Sequence, residues 1–279
     1  MLLSLNDRVK MALCPDRVIL MRFSHGLRPH LLDKCIVPCP EAEAEAAAGW
    51  QAAVAVLREA LKAPEWQKAT ATLVISNHFV RYLLIPWNDQ LSSDEEWRAM
   101  VHHCFRQVYG DEAERWECRW SGGGFGTPLI ASAIDPELLL ALHQVAQESG
   151  VKLDSVQPYL MAAFNHWRRR MVSDSGCFLL TEPGRIGLAC FHDGQWGGLV
   201  FEPLPPSDAA TVLPELLQRM LLRLETGGAP HDIFAFAAEV PEAAWPQTDG
   251  TTIRLLPLEP LPGLPPEAGA EYAMALMGE

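Results

Sequence analysis

The chain has 279 residues, 49% of them hydrophobic and 20% charged, which describes a folded protein of one large or two modest domains and excludes a disordered or collagen-like chain. Lys plus Arg is 22 and Asp plus Glu is 35, a formal charge of −13, so a polyanion has no broad basic surface to bind and nucleic acid is not an expected partner. The 7 cysteines are odd in number and lack framework spacing, which predicts free thiols in a reducing compartment.

No run reaches the roughly 18 uninterrupted apolar residues of a membrane span. Asp7, Arg8 and Lys10 interrupt the apolar start, which reads as neither signal peptide nor anchor. Direct membrane insertion is therefore not expected.

Arg17 to Phe23 and His30 to Val37 are β-rich runs around a loop with hairpin chemistry, Ser24 to Pro29, and are expected to open the fold as two antiparallel strands. Glu41 to Ala63 carries Trp50, Val54, Leu57 and Leu61 on one helical face, stopped by Pro64. Thr72 to Ile75 and Phe79 to Ile85 read as a second tight hairpin. Ser93 to Glu96 forms a capping box for a helix whose Trp97, Met100, Val101, Cys104, Phe105 and Val108 share a face.

Trp116 to Trp120 and Leu129 to Ala133 read as strands joined by a flexible glycine-rich loop. Asp135 and Pro136 then start a helix that Gly150 ends. A short strand to Val156 and a Pro158-started helix ending in Arg168, Arg169 and Arg170 follow. From Cys177 the order of elements starts again: three strands, a helix from about Asp208 to Glu225, and the strand IFAFAA. Pro257 to Pro266, with five prolines in ten residues, is a surface connection, and a short helix covers Ala270 to Leu276.

Recognised chemistry is sparse. Gly122, Gly123, Gly124 and Gly126 lack the Lys and Ser/Thr of a phosphate-binding P-loop. His102, His103 and Cys104 lack a matching ligand pair, and Cys35 and Cys39 lack redox-centre spacing, so no metal site is assigned and the thiols are structural. There is no GxSxG elbow and no HExxH helix. Trp87, followed by Asn88 and Asp89, has the character of an interface anchor.

Several strings resemble the PilM family and the cytoplasmic domain of GspL, actin-like proteins of type IV pilus and type II secretion assembly platforms. They are TLVISNHFVRYLLIPW (Thr72 to Trp87) with the following helix SSDEEWRAMVHHCF, PLIASAIDPELLLALHQVAQESGVKLDSVQPYLMAAFN (Pro128 to Asn165), CFLLTEPGRIGLACFHDGQW (Cys177 to Trp196) and GAEYAMALMGE (Gly269 to Glu279). The resemblance implies an α/β class with α+β mixed sheets: the actin-like, ribonuclease H-like fold of two lobes. Each lobe would be a mixed sheet opened by a β-hairpin and flanked by helices, the first spanning 1–172 and the shorter second spanning 173–279.

Nucleotide-binding relatives carry an Asp-x-Gly pattern between the first two strands of each half. Here those loops read Ser24, His25, Gly26 and Glu182, Pro183, Gly184, and Pro183 removes a backbone donor. No cofactor is therefore expected, and Ser24, Gly26, Glu182 and Gly184 are carried only as positions a residual cleft ligand would contact. The resemblance implies a non-catalytic cytoplasmic scaffold that binds the cytoplasmic tail of a PilN-like inner-membrane protein and sits at that membrane through it. An assembly ATPase and a second copy of the chain are the further partners considered. Phe79, Arg81, Trp87 and Trp97 are the expected partner contacts. The alternative is an actin-like switch or ATPase that binds ATP and magnesium through atypical phosphate loops.

Overall fold

The computed structural model describes residues 7–40, 49–122, 124–173, 175–205, 209–224, 232–238, 240, 245 and 252–278. Contacts divide the chain into two compact units. One contains residues up to 80, with 136–166 and from 258 onward; the other contains 81–135 and 167–257.

The first unit is built on a five-stranded sheet with strands β1 (Arg8–Leu13), β2 (Arg17–Phe23), β3 (Leu31–Pro38), β4 (Thr70–Ile75) and β8 (Lys152–Pro158) in the order β3-β2-β1-β4-β8. The pairs β1/β2 and β2/β3 are antiparallel, whereas β1/β4 and β4/β8 are parallel. Three strands thus open the fold where two were expected. The strand missed is β1, because Arg8 and Lys10 obscure its alternating Val9, Met11 and Leu13, which are at most 1% exposed.

Val18, Ile19, Leu20 and Met21 of β2 are all buried. Consecutive burial means that both faces of the sheet are covered. Helices α1 (Trp50–Ala60) and α3 (Pro136–Glu148) pack on each other, α1 also against β1, β2 and β3, and α3 against β8. The beginning of the helix expected from Glu41 lies outside the described residues. Helix α4 (Tyr159–Trp167) follows β8, and the Leu160 amide donates to Asn77 Oδ1 at 3.0 Å in a buried hydrogen bond.

The last helix, α6 (Pro266–Met277), packs on β1, β2 and β4. Lys10 Nζ donates to the Leu276 carbonyl at 3.3 Å. A division after residue 172 places this helix with the second half; the contacts place it with the first sheet.

The second unit holds a sheet of β9 (Ser175–Glu182), β10 (Gly184–His192), β11 (Gln195–Leu204), β12 (Asp232–Phe236) and β13 (Thr252–Leu255), ordered β11-β10-β9-β12-β13. Its antiparallel meander and two parallel additions repeat the pattern of the first sheet strand for strand. Strand β13 had no counterpart among the sequence expectations. Helix α5 (Ala209–Arg223) packs against β11 and supplies Leu213, Leu216, Leu217 and Met220 to a core with Leu179, Leu188 and Ile233.

Cys177 and Cys190 face each other across β9 and β10 and are disulfide-bonded, which corrects the expectation of seven free thiols. The cause is register: a separation of 13 residues carries no motif, and only the antiparallel pairing puts the two side chains opposite each other.

The same unit contains a three-stranded sheet, β5 (Val80–Ile85), β7 (Leu129–Ile134) and β6 (Glu117–Gly122), in the order β5-β7-β6. Strands β4 and β5 were expected to form a hairpin; instead they belong to different sheets. A short 3-10 turn, Asn77–Phe79, capped by the Ser76 hydroxyl, redirects the chain between them. Helix α2 (Asp94–Tyr109) covers the small sheet with Val101 and Phe105, both fully buried. Val108, expected on the same face, is 60% exposed at the last turn.

Candidate partner-binding site

The two hairpin loops expected to contact a residual ligand lie one in each unit. In the first, Ser24 closes the loop on His30: the Ser24 amide donates to the His30 carbonyl at 3.0 Å, and the His30 amide donates to Ser24 Oγ at 3.1 Å. Asp7 secures the loop entrance by accepting from Arg22 Nε at 2.9 Å, from Arg22 Nη2 at 2.8 Å and from the His25 amide at 3.2 Å. Desolvation pushes the Asp7 carboxyl upward, but the hydrogen bonds from Arg22 and His25 outweigh it and hold the pKa below 3.8. Gly26 sits at φ +117°, a conformation that favours glycine.

In the second loop, Glu182 pairs with Arg185 across a two-residue connection, Pro183 and Gly184, with Gly184 at φ +77°. Glu182 is only 7% exposed. Arg185 lies over the Phe201 ring at 5.0 Å, and burial followed by the neighbouring Arg81 charge pushes its pKa down.

These loops do not fit a nucleotide phosphate. The Ser24 amide is spent on its own loop, Pro183 has no amide hydrogen, and a buried carboxylate stands at the turn where an anion would approach.

Of the expected partner contacts, Phe79 ends the 3-10 turn in the first unit and is half-buried. Arg81, Trp87 and Trp97 belong to the second unit. Pro86 ends β5, and Trp87 turns back toward α2, bringing its ring 5.3 Å from that of Trp97. The position of Trp97 follows from the helix start. Ser93 Oγ accepts from the Glu96 amide at 3.2 Å, while Glu96 Oε2 accepts from the amides of Ser93 at 3.0 Å and Ser92 at 2.7 Å. This reciprocal cap sets where the first turn begins and hence which face carries Trp97.

A residue absent from the expected set completes the group. Phe125 lies 5.1 Å from Trp87, edge to face, and is 88% exposed. Gly124 and Gly126 flank it at φ +117° and +79°, and Thr127 Oγ1 donates to the Gly124 carbonyl at 2.8 Å. The glycine-rich loop, read from sequence as a flexible connection, therefore presents an aromatic ring. The available signal was a lone phenylalanine among glycines, the residue that loop solubility alone disfavours.

Other clusters lead to less. Cys118 Sγ is 4.0 Å from His102 Nδ1, but burial, followed by the Glu117 charge, pushes the thiol up to about 11, so it is not a nucleophile near neutrality. Ser175 Oγ bonds His192 Nδ1, and His192 Nε2 lies 3.3 Å from Asp193 Oδ2; the imidazole and carboxylate are 76% and 71% exposed, so no enclosed reaction site surrounds them. A hollow of about 200 Å³ in the first unit is lined by Arg58 and Glu148, which pair with each other at 3.0 Å. No group of three or more His, Cys, Asp or Glu suited to a metal occurs among the described residues. Nor is any described helix long and apolar enough to cross a membrane.

Two mixed sheets that repeat one strand order, each with its hairpin opening and helical cover, define the actin-like fold. No family model matches the sequence, and no curated protein does. Among solved structures, a chain of a PilM–PilN type IV pilus biogenesis complex matches with TM-score 0.69 at 13% identity, over 97% of this chain and 96% of that one. The cytoplasmic domain of EpsL, an inner membrane component of the type II secretion system of Vibrio cholerae, matches with TM-score 0.62 at 13% identity, over 98% and 96%. A Bacteroides thetaiotaomicron protein with an actin-like ATPase fold and unknown function matches with TM-score 0.52 at 10% identity, over 84% and 82%. The resemblance to PilM- and GspL-type proteins thus holds at the level of the fold.

Proposed function

We propose that this protein is a non-catalytic scaffold of a pilus-assembly or secretion platform, which binds the cytoplasmic tail of a PilN-like inner-membrane protein and is held at the membrane by it. The observation that carries the reading is the match over nearly the full length of both chains to a PilM–PilN complex chain and to the EpsL cytoplasmic domain. Two further features support it. The loops at Ser24 and Glu182 are poorly suited to phosphate, which favours a scaffold over an ATP-dependent switch. The half-buried Trp87 and Trp97, 5.3 Å apart, supply the rigid aromatic area that protein interfaces use. Within this reading, Arg81, Trp87 and Trp97 of the second unit contact the partner.

The test is reconstitution of the chain with a PilN-like protein from the same cell in detergent. Co-elution that is lost when the cytoplasmic tail is removed supports the reading. An intact partner that never co-elutes overturns it.

A further inference from the structure

Trp87 and Trp97, two rings of the aromatic group completed by Phe125, lie in a chain segment of one dominant sign. Asp89, Asp94, Glu95 and Glu96 crowd residues 86–98, against the single cation Arg98. The N-terminus of α2 carries a partial positive charge of about half an elementary unit, which these full carboxylate charges exceed. Asp94 precedes Trp97 by three positions, so the two are neighbours on the helix surface. Asp89, Asp94 and Glu95 are exposed.

Phe125 is the unusual member. A phenylalanine 88% exposed at the tip of a loop keeps apolar surface in water at a free-energy cost that a covering partner would relieve. The Trp87 contact leaves most of its surface available to a ligand.

An aromatic surface bordered by carboxylates favours Lys and Arg side chains, whose heads are drawn to π faces and to negative charge while their stems cover apolar area. A second copy of the chain is disfavoured, because each copy carries −13. Segments next to the cytoplasmic side of a membrane span are enriched in Lys and Arg.

We propose that Trp87, Trp97 and Phe125, with Asp89, Asp94 and Glu95, form the docking site for a Lys/Arg-rich segment bearing an aliphatic anchor, the juxtamembrane part of the partner's tail. This rests on the scaffold reading for the identity of the partner, though not for the chemistry of the site. The aliphatic anchor covers Phe125 and Trp87, and the cations sit over the rings and beside the carboxylates at the start of α2.

The experiment titrates the full chain with three fluorescein-labelled peptides and follows anisotropy at low and high salt. The probes are a short peptide alternating Lys, Arg and Leu, its counterpart with every cation replaced by Glu, and the cytoplasmic tail of a PilN-like protein. Phe125→Ala is the main variant because the exposed ring supports no core; Asp94→Asn with Glu95→Gln removes the charge, and circular dichroism checks the fold.

The basic peptide and the tail are expected to bind, with Kd raised about tenfold by Phe125→Ala, raised by the charge variant, and raised by salt. The Glu peptide is not expected to bind. Equal affinity for the Glu peptide, or a tail whose affinity no variant changes, overturns the site; in the second case the scaffold reading stands. A basic peptide bound through Phe125 with a tail that does not bind keeps the site's chemistry and overturns the scaffold reading. A wild-type dimer that Phe125→Ala makes monomeric overturns the proposal in favour of self-association.

Discussion

The ring of Tyr82 lies 5.3 Å from that of Phe201 with 17° between their planes, a stack that ties the small sheet through β5 to the large sheet through β11. Strand β10 makes room for it: a Cβ placed on Gly187 would stand 2.4 Å from the Phe201 ring. The missing side chain is thus a packing requirement, not a conformational one.

Gly187→Ala is accordingly expected to destabilise the protein by about 1–3 kcal/mol through overpacking. Chemical denaturation with an unchanged slope and a lower midpoint is the expected result. A midpoint equal to wild type would show that Phe201 has space to retreat.

Ser93→Ala removes the hydroxyl that accepts from the Glu96 amide and is expected to cost about 0.5–2 kcal/mol. The other half of the cap has a pH signature. Hydrogen bonds from the amides of Ser92 and Ser93 hold the Glu96 pKa below its ordinary 4.5. A depressed folded-state pKa contributes stability above the unfolded value, and that contribution disappears as pH falls through the folded value. The difference in melting temperature between wild type and Glu96→Gln should therefore shrink on acidification below 4.5. A difference independent of pH would remove the carboxylate from the cap.

Thiol counting separates the bonded pair from the rest. Denatured, unreduced protein is expected to titrate with 5 thiols and reduced protein with 7. In the native state, Cys39 and Cys118, both pushed up to about 11 chiefly by burial, should react slowly at mildly alkaline pH. Rapid native labelling of Cys118 would contradict its burial on β6 in the core shared with α2.

Magnesium ATP at millimolar concentration is expected to leave the melting temperature unchanged, since a ligand that binds only the folded state must raise it once its concentration exceeds Kd. A saturable rise lost in Glu182→Ala would identify the Glu182–Gly184 turn as a nucleotide contact and favour the switch reading.

The elements most legible in the amino-acid order are those whose signals are local. The capping box at Ser93, the apolar face of α2, the hairpin chemistry of Ser24 to Pro29 and the interrupting prolines after Pro257 each act within one or two turns of chain. The repeated element order of the two halves was visible for the same reason. Pairing partners were not. Nothing local distinguishes a β4/β5 hairpin from two strands that part company at a 3-10 turn, because sheet membership depends on which distant strands compete for their edges.

The same holds for the candidate site. Trp87 and Trp97 were readable as an anchor and a helix-face residue, each from its own neighbours. That they meet, that Phe125 joins them from a loop nearly forty positions beyond Trp87, and that Cys177 finds Cys190 across a strand pair are consequences of register and of chain reversal. Local propensity contains no term for such long-range contacts; they form when packing closes the loops between them and the burial gained exceeds the entropy lost.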